Sequence, residues 1–124
     1  MKDFRDLKVW ERAHNLTMEI YRVARNFPPE ERYGLTSQIR RSTASIAANI
    51  AEGCGRRGNG EFHRFLHIAA GSASELDYHL LLVRDLGILE KRTYELLIQR
   101  LAELRRMLTA LILRVDAERS RVKC

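Results

Sequence analysis

Proline is almost missing from this chain. The two that occur, Pro28 and Pro29, are adjacent, so beyond residue 29 only glycine is left to interrupt a helix. Cysteine is as scarce: Cys54 and Cys124 share no CxxC-type spacing, which argues against a disulfide framework or a thiolate metal site. Long apolar runs are missing too. The longest aliphatic stretch is Leu80 to Val83, against the ~20 residues that span a bilayer, and the opening MKDFRDLKVW has no apolar core of a secretion signal. These absences lead to the expectation of a cytoplasmic protein with no membrane association.

What is present points to helices. A chain of 124 residues, 45% hydrophobic and 31% charged, can bury roughly two-thirds of its unfolded surface as one domain spanning 1–124, with no metal or disulfide to staple it. Four amphipathic segments follow one another, at about 6–26, 36–53, 59–86 and 90–118. The first carries Val9, Ala13, Leu16, Ile20, Val23 and Phe27 at alternating spacings of four and three, a heptad seam ended by the prolines. The third repeats the rhythm through Phe62, Leu66, Ala69, Ala73, Leu76, Leu80 and Val83, from Asn59 as N-cap to Gly87 as stop. The fourth runs through Leu97, Leu101, Leu104, Leu108, Leu111 and Val115, leaving ERSRVKC as a frayed polar tail. Four seams of one period with short connections predict an all-α, antiparallel up-and-down four-helix bundle.

The second segment writes three stripes on one helix. Ile39, Thr43, Ile46 and Ile50 form an apolar line, Gln38, Ser42, Ser45 and Asn49 a polar line beside it, and Ala44, Ala47, Ala48 and Ala51 a flat flank. Ser45 and Asn49 lie next to the isoleucines, where an unpaired amide is costly, so Asn49 is expected to hydrogen-bond in a structural role. The glycines of GCGRRGNG, at 53, 55, 58 and 60, are expected to end this helix in left-handed turns. Off the seams, Leu81, Leu82 and Tyr78 on the third helix and Trp10 and Tyr21 on the first add further apolar surface. Two readings account for it: a broad core stripe with aromatic shoulders, or a subunit interface built from Ala44, Ala48, Ala51, Leu81 and Leu82.

The segments YGLTSQIRR, SIAANIAEG and FLHIAAGSASELDYHL, with LKVWERAHNL and IYRVARNFPPEERYGL before them, resemble the four helix bundle proteins first noticed in intervening sequences of bacterial 23S ribosomal RNA genes, also called S23 ribosomal proteins. The resemblance covers roughly residues 4 to 115. It implies a four-helix bundle assembling as a ring-shaped homopentamer, with no established activity attached. More distantly, the chain is similar to the accessory proteins of diversity-generating retroelements, pentameric bundles that work with a reverse transcriptase and bind nucleic acid.

Charge gives an independent hint about partners. The net charge of +6 is uneven: residues 33–64 carry Arg40, Arg41, Arg56, Arg57 and Arg64 against Glu52 and Glu61, and residues 105–124 carry six basic residues against Asp116 and Glu118. Repeated around a ring, the first group makes a candidate surface for RNA or DNA, or for a nucleic-acid-processing protein. No aromatic residue is interleaved with these arginines, so little base specificity is expected. The competing reading is a solvated or internally paired face, in which Arg40 and Arg41 bind Glu52 or Glu75 of a neighbouring copy.

Catalytic chemistry finds no support in the spacing. GCGRRGNG lacks the Lys-Ser/Thr ending and preceding strand of a nucleotide-binding loop, so a turn exposing Arg56 and Arg57 is the simpler reading. His63 and His67 lie one turn apart on the side opposite Phe62 and Leu66, and the ExxH spacing, which dimetal bundles carry on two helices, is not repeated on two helices here. No catalytic residue, metal or cofactor is therefore assigned. The sequence favours a non-enzymatic homo-oligomeric binding module; the alternative is a small enzyme or metal-binding protein with a site between subunits, drawing on Ser42, Asn49 or His63.

Overall fold

The computed structural model describes residues 3–123, with side chains described as far as Arg121; Met1, Lys2 and Cys124, including any role of the last thiol, lie outside the described residues. A 3-10 turn, Phe4–Asp6, leads into α1 (Lys8–Ala24). A second 3-10 turn, Pro29–Glu31, joins it to α2 (Leu35–Gly55), followed by α3 (Gly58–Asp85) and α4 (Lys91–Lys123), with no strand among the described residues.

Cross-helix pairs fix the directions. Thr17 and Tyr21 of α1 meet Thr43 and Arg40 of α2. Ser45 and Arg41 of α2 meet Ser72 and Glu75 of α3. Asn59 and Asp77 of α3 meet Glu118 and Arg105 of α4, and Arg12 and Glu19 of α1 meet Glu103 and Arg100 of α4. In each set one number rises as the other falls, so every neighbouring pair is antiparallel. The backbones of the diagonal pairs stay apart, which gives a square four-helix bundle.

Its core is the set of seams. Ile39, Thr43, Ile46 and Ile50 of α2 are fully buried, and every seam residue expected on α3 and α4 is buried as well. In α1 the seam closes on Ala24 instead of Val23 and Phe27, which are only half-buried. A straight helix with 3.6 residues per turn drifts off a 3.5-residue repeat, so the position after Ile20 that still faces inward is four residues on. Cys54 joins the core as a small apolar side chain.

The α2–α3 pair makes the most extensive contact in the molecule. Gly53 lies inside α2, where an added Cβ would come within 3.0 Å of both Phe62 and Phe65, so glycine serves here as a close-approach residue and not as a terminator. Among the described residues only Gly58, at φ 82°, and Gly87, at φ 74°, take left-handed conformations. Consequently α2 continues to Gly55, Arg57 precedes the first residue of α3, and Asn59 is a first-turn residue whose amide donates to Glu118 rather than an N-cap.

The expected frayed tail is helical to Lys123. No proline or glycine follows Gly87, the tail is rich in good helix formers, and Asn59 and His63 of α3 hold its base through Glu118 and Asp116.

Glycine substitutions separate these roles. Gly53→Ala should destabilise the chain by about 1–3 kcal/mol through overpacking. Gly60→Ala, in a helical turn with open space at its Cβ, should be neutral or stabilising by up to about 1 kcal/mol. Urea denaturation midpoints of the two variants check the contrast.

Candidate nucleic-acid interface

The five arginines singled out by sequence divide between the two ends of α2. Arg40 and Arg41 sit in its second turn, whereas Arg56, Arg57 and Arg64 surround its far end and the start of α3, about 25 Å away at 1.5 Å per residue. They do not form one patch on a single chain.

At the far end, Arg56 donates from Nε to Glu52 at 3.0 Å, and Arg64 donates from Nε to Glu61 at 3.1 Å. Both guanidinium groups also lie against the ring of Phe65, at 5.1 and 4.4 Å. Arg57 makes no ion pair among the described residues and is exposed. It lines a cavity of about 390 Å³ with Gly53, Arg56, Gly58, Asn59 and Phe62. Because α4 is helical, it carries Arg119 and Arg121 to this same end, beside the Asn59–Glu118 contact. The hydrogen bond from Arg64, helped by the charges of Arg64 and Arg56, holds the Glu61 carboxyl below its ordinary range, while Arg64 is pushed up by the same partner.

At the near end, Arg41 approaches Glu75 of its own chain at 3.9 Å, and Glu52 is taken by Arg56, so neither carboxylate waits unpaired for a neighbouring copy. Arg40 lies over the ring of Tyr21 at 5.4 Å. It converges there with Arg25 and Arg32, a grouping that sequence reading misses because its members come from three segments separated by the proline turn.

Three members of the polar stripe bond within the subunit, and the fourth, Gln38, is exposed. The Asn49 amide donates to the Ser45 carbonyl at 2.8 Å and to Ser45 Oγ at 2.9 Å, and the Ser45 and Ser72 hydroxyls meet at 2.8 Å. Ser42 is buried and donates to the carbonyl of Ile39. Of the alanine flank, Ala47 is buried, Ala44 and Ala51 are half-buried, and Ala48 is exposed. Leu81 and Leu82 are half-buried, while Tyr78 between the helices' outer faces is 59% exposed.

His63 does not project away from the bundle as the seam suggested. It turns toward α4, where Nε2 meets Asp116 Oδ1 at 2.5 Å, and the same nitrogen lies 3.2 Å from His67 Nε2. A residue at the edge of the α3 seam serves the α3–α4 contact, which the two-faced reading of the helix overlooked. Among the described residues no three His, Cys, Asp or Glu side chains are grouped to hold a metal ion, and no helix is long and apolar enough to cross a membrane.

Comparison with known proteins gives two positive results. The model of the 23S rRNA-intervening sequence protein family matches residues 5–110. Among solved structures, the fold is similar to that of a protein of unknown function from the S23 ribosomal protein family of Bacteroides thetaiotaomicron, at 26% identity and a TM-score of 0.78, covering 84% of this chain and 94% of that one. No curated protein matches.

Two predictions follow from these contacts. Asn49→Ala removes hydrogen bonds within the subunit and should lower stability by about 0.5–1.5 kcal/mol, read from thermal melts. Since the Glu61 carboxyl is depressed, its pairing with Arg64 stabilises the fold above the ordinary carboxylate range and is lost as pH falls through the lowered value. Melting temperatures of Glu61→Gln should therefore fall less steeply on acidification below about pH 4 than those of the parent.

Proposed function

The chain belongs to the family of 23S rRNA-intervening sequence proteins, and on that premise we propose that it works by binding and not by catalysis, as a homo-oligomeric bundle that holds RNA or DNA on its basic end. The observation that carries this reading is that Arg56 and Arg57 at the α2–α3 turn and Arg119 and Arg121 on the last turns of α4 lie at the same end of the bundle. Arg57, Arg119 and Arg121 make no ion pair among the described residues, so their charge is available to phosphates. Arg56 and Arg64 add guanidinium planes braced against Phe65 and aligned by carboxylates, ready to exchange those partners for phosphate oxygens.

The assembly proposed is a ring of five copies, in which each basic end is repeated and weak contacts add into avid binding. Exposed Ala48, half-buried Leu82 and exposed Tyr78 offer the apolar surface for it, together with Gly71, where open space permits close approach. A nucleic-acid-processing protein is the partner class consistent with a module that contributes no chemistry.

Two measurements test the reading. Light scattering should give about 72 kDa, five times the chain mass of 14.4 kDa; a monomer at micromolar concentration removes the ring. Fluorescence anisotropy with single-stranded and duplex probes should show affinity falling with salt, with a log–log slope of about −0.7 to −0.9 per phosphate neutralised. Arg56→Glu with Arg57→Glu should weaken binding at least tenfold, while Lys91→Glu with Arg92→Glu, at the opposite end, should change it by less than about twofold. Equal losses in both, or no salt-sensitive binding near 100 mM salt, sink the basic-end site. Glu61→Gln, which releases Arg64, should tighten binding and steepen the slope by about one phosphate.

A further inference from the structure

The elbow between α1 and α2 holds a second concentration of positive charge, built differently from the first. Arg25 follows the last turn of α1, Arg32 follows the Pro29–Glu31 turn, and Arg40 comes from α2. All three line one cavity of about 260 Å³, closed by Phe27, Pro28 and Pro29 on one side and by Thr36 on the other. None of the three makes an ion pair among the described residues, although elsewhere on the surface Arg5, Arg12, Arg41, Arg56, Arg64, Arg84, Arg100 and Arg105 each reach a carboxylate. The acidic residues of the same turn do not fill the role: neither Glu30 nor Glu31 lines the cavity, and a Glu31 carboxylate oxygen lies instead beside Gly34.

Two of the residues lining this cavity each carry a buried polar atom that lacks a partner among the described residues. Thr36 is 4% exposed and its Oγ1 has no hydrogen-bond partner; the Nε of Arg40 is buried without an acceptor. Buried hydroxyls and guanidinium N–H groups are ordinarily satisfied, because leaving them unpaired forfeits the hydrogen bonds they make with water in the unfolded chain. Thr36 is also in the first turn of α2, a 21-residue helix whose N-cap, Gly34, supplies no side-chain capping bond. The first amides of that helix are thus unserved by a cap, and its dipole adds partial positive charge to the same place.

From this geometry we propose that the α1–α2 elbow is a binding site for a phosphate group. Arg25 and Arg32 are exposed and hydrated, but with no carboxylate paired to any of the three the cavity carries a positive field that favours an anion over water. A tetrahedral dianion suits three cations arriving from separate segments together with a hydroxyl donor better than a planar carboxylate of one charge. The cavity has several times the volume that a water molecule occupies in the liquid, about 30 Å³, so an oxyanion fits with room for the ester it is attached to. Stacking of Arg40 on Tyr21 orients its guanidinium while leaving its N–H groups to the ligand. The site lies at the opposite end of α2 from Arg56 and Arg57, about 30 Å along the helix, and does not depend on the basic-end reading.

The shared chemistry is a phosphate or phosphomonoester, whether free, carried on a small metabolite, or forming the 5′ end of a nucleic-acid strand. Calorimetric titration of the full chain with inorganic phosphate in low-salt buffer should show saturable binding at one site per chain. Arg25→Gln, Arg32→Gln and Thr36→Val should each weaken it about tenfold, whereas Thr36→Ser, which keeps the hydroxyl, should stay within about threefold of the parent. Arg56→Glu with Arg57→Glu should leave phosphate binding intact, so failure here and failure of the basic end are read separately. Circular dichroism melts accompany each variant, and exposed Arg25 provides a substitution that does not touch the core if Thr36→Val fails to fold. A 5′-phosphorylated oligonucleotide that binds more tightly than its 5′-hydroxyl counterpart, with the gain abolished by Arg32→Gln, identifies a strand end as ligand. A sugar phosphate matching inorganic phosphate, with no gain from the 5′ phosphate, identifies a small metabolite. Absence of saturable binding by all three probes, or unchanged phosphate affinity in both Arg25→Gln and Arg32→Gln, overturns the site.

Discussion

The close approach of α2 and α3 governs the rest of the molecule. Helices with large residues at their contact sit farther apart than helices that meet through glycine, serine and alanine. Here Gly53 abuts Phe62 and Phe65, and the Ser45 and Ser72 hydroxyls touch. This tight pair ends in a short turn, so Arg56 and Arg57 are thrown outward while Arg64 follows about two turns into α3. The position of the basic end is therefore a result of how two uncharged surfaces fit.

The opposite side of the bundle is joined by other means. Between α1 and α4, Arg12 pairs with Glu103 and Arg100 with Glu19 at the rim, over the buried Leu16. Such exposed pairs each contribute little, with a median of about 0–1 kcal/mol. Stability thus resides in the shared aliphatic centre and in the α2–α3 contact, and α1 is the helix whose contact with α4 is the least extensive of the four neighbouring pairs. It is also the helix whose end, together with the proline turn, frames the arginine-lined elbow.

Periodicity made most of the fold legible before any coordinate. Ile39, Ile46, Ile50 and the full seams of α3 and α4 could be placed in the core because a buried stripe repeats and mistakes in one residue are corrected by the next. The errors fall where that repetition stops. Val23 was favoured over Ala24 by a strict heptad; Asn59 was read as a cap because its side chain suits one, whereas its actual partner, Glu118, is distant in sequence. The small residues of α2 were legible as a contact surface, but spacing alone does not say which neighbour uses it, and much of it serves α3. The cluster of Arg25, Arg32, Thr36 and Arg40 was illegible for a related reason, since turns bring together residues that share no period.

One consequence follows from unequal helix lengths. At 1.5 Å per residue α4, with 33 residues, extends about 50 Å, against about 26 Å for the 17 residues of α1. Since Arg12 and Glu19 face Glu103 and Arg100, α1 runs out near the middle of α4, and the remaining half is braced along one side by α3. Its inner face stays packed, with Leu108, Leu111, Ile112 and Val115 buried, while Leu113 on the outer face is 62% exposed. Beyond Glu118, which Asn59 holds, α4 runs past the start of α3, so Arg119 and Arg121 stand on its last turns rather than at a turn between two packed helices. One end of the molecule thereby combines charges rooted where two helices pack with charges carried out along a single helix.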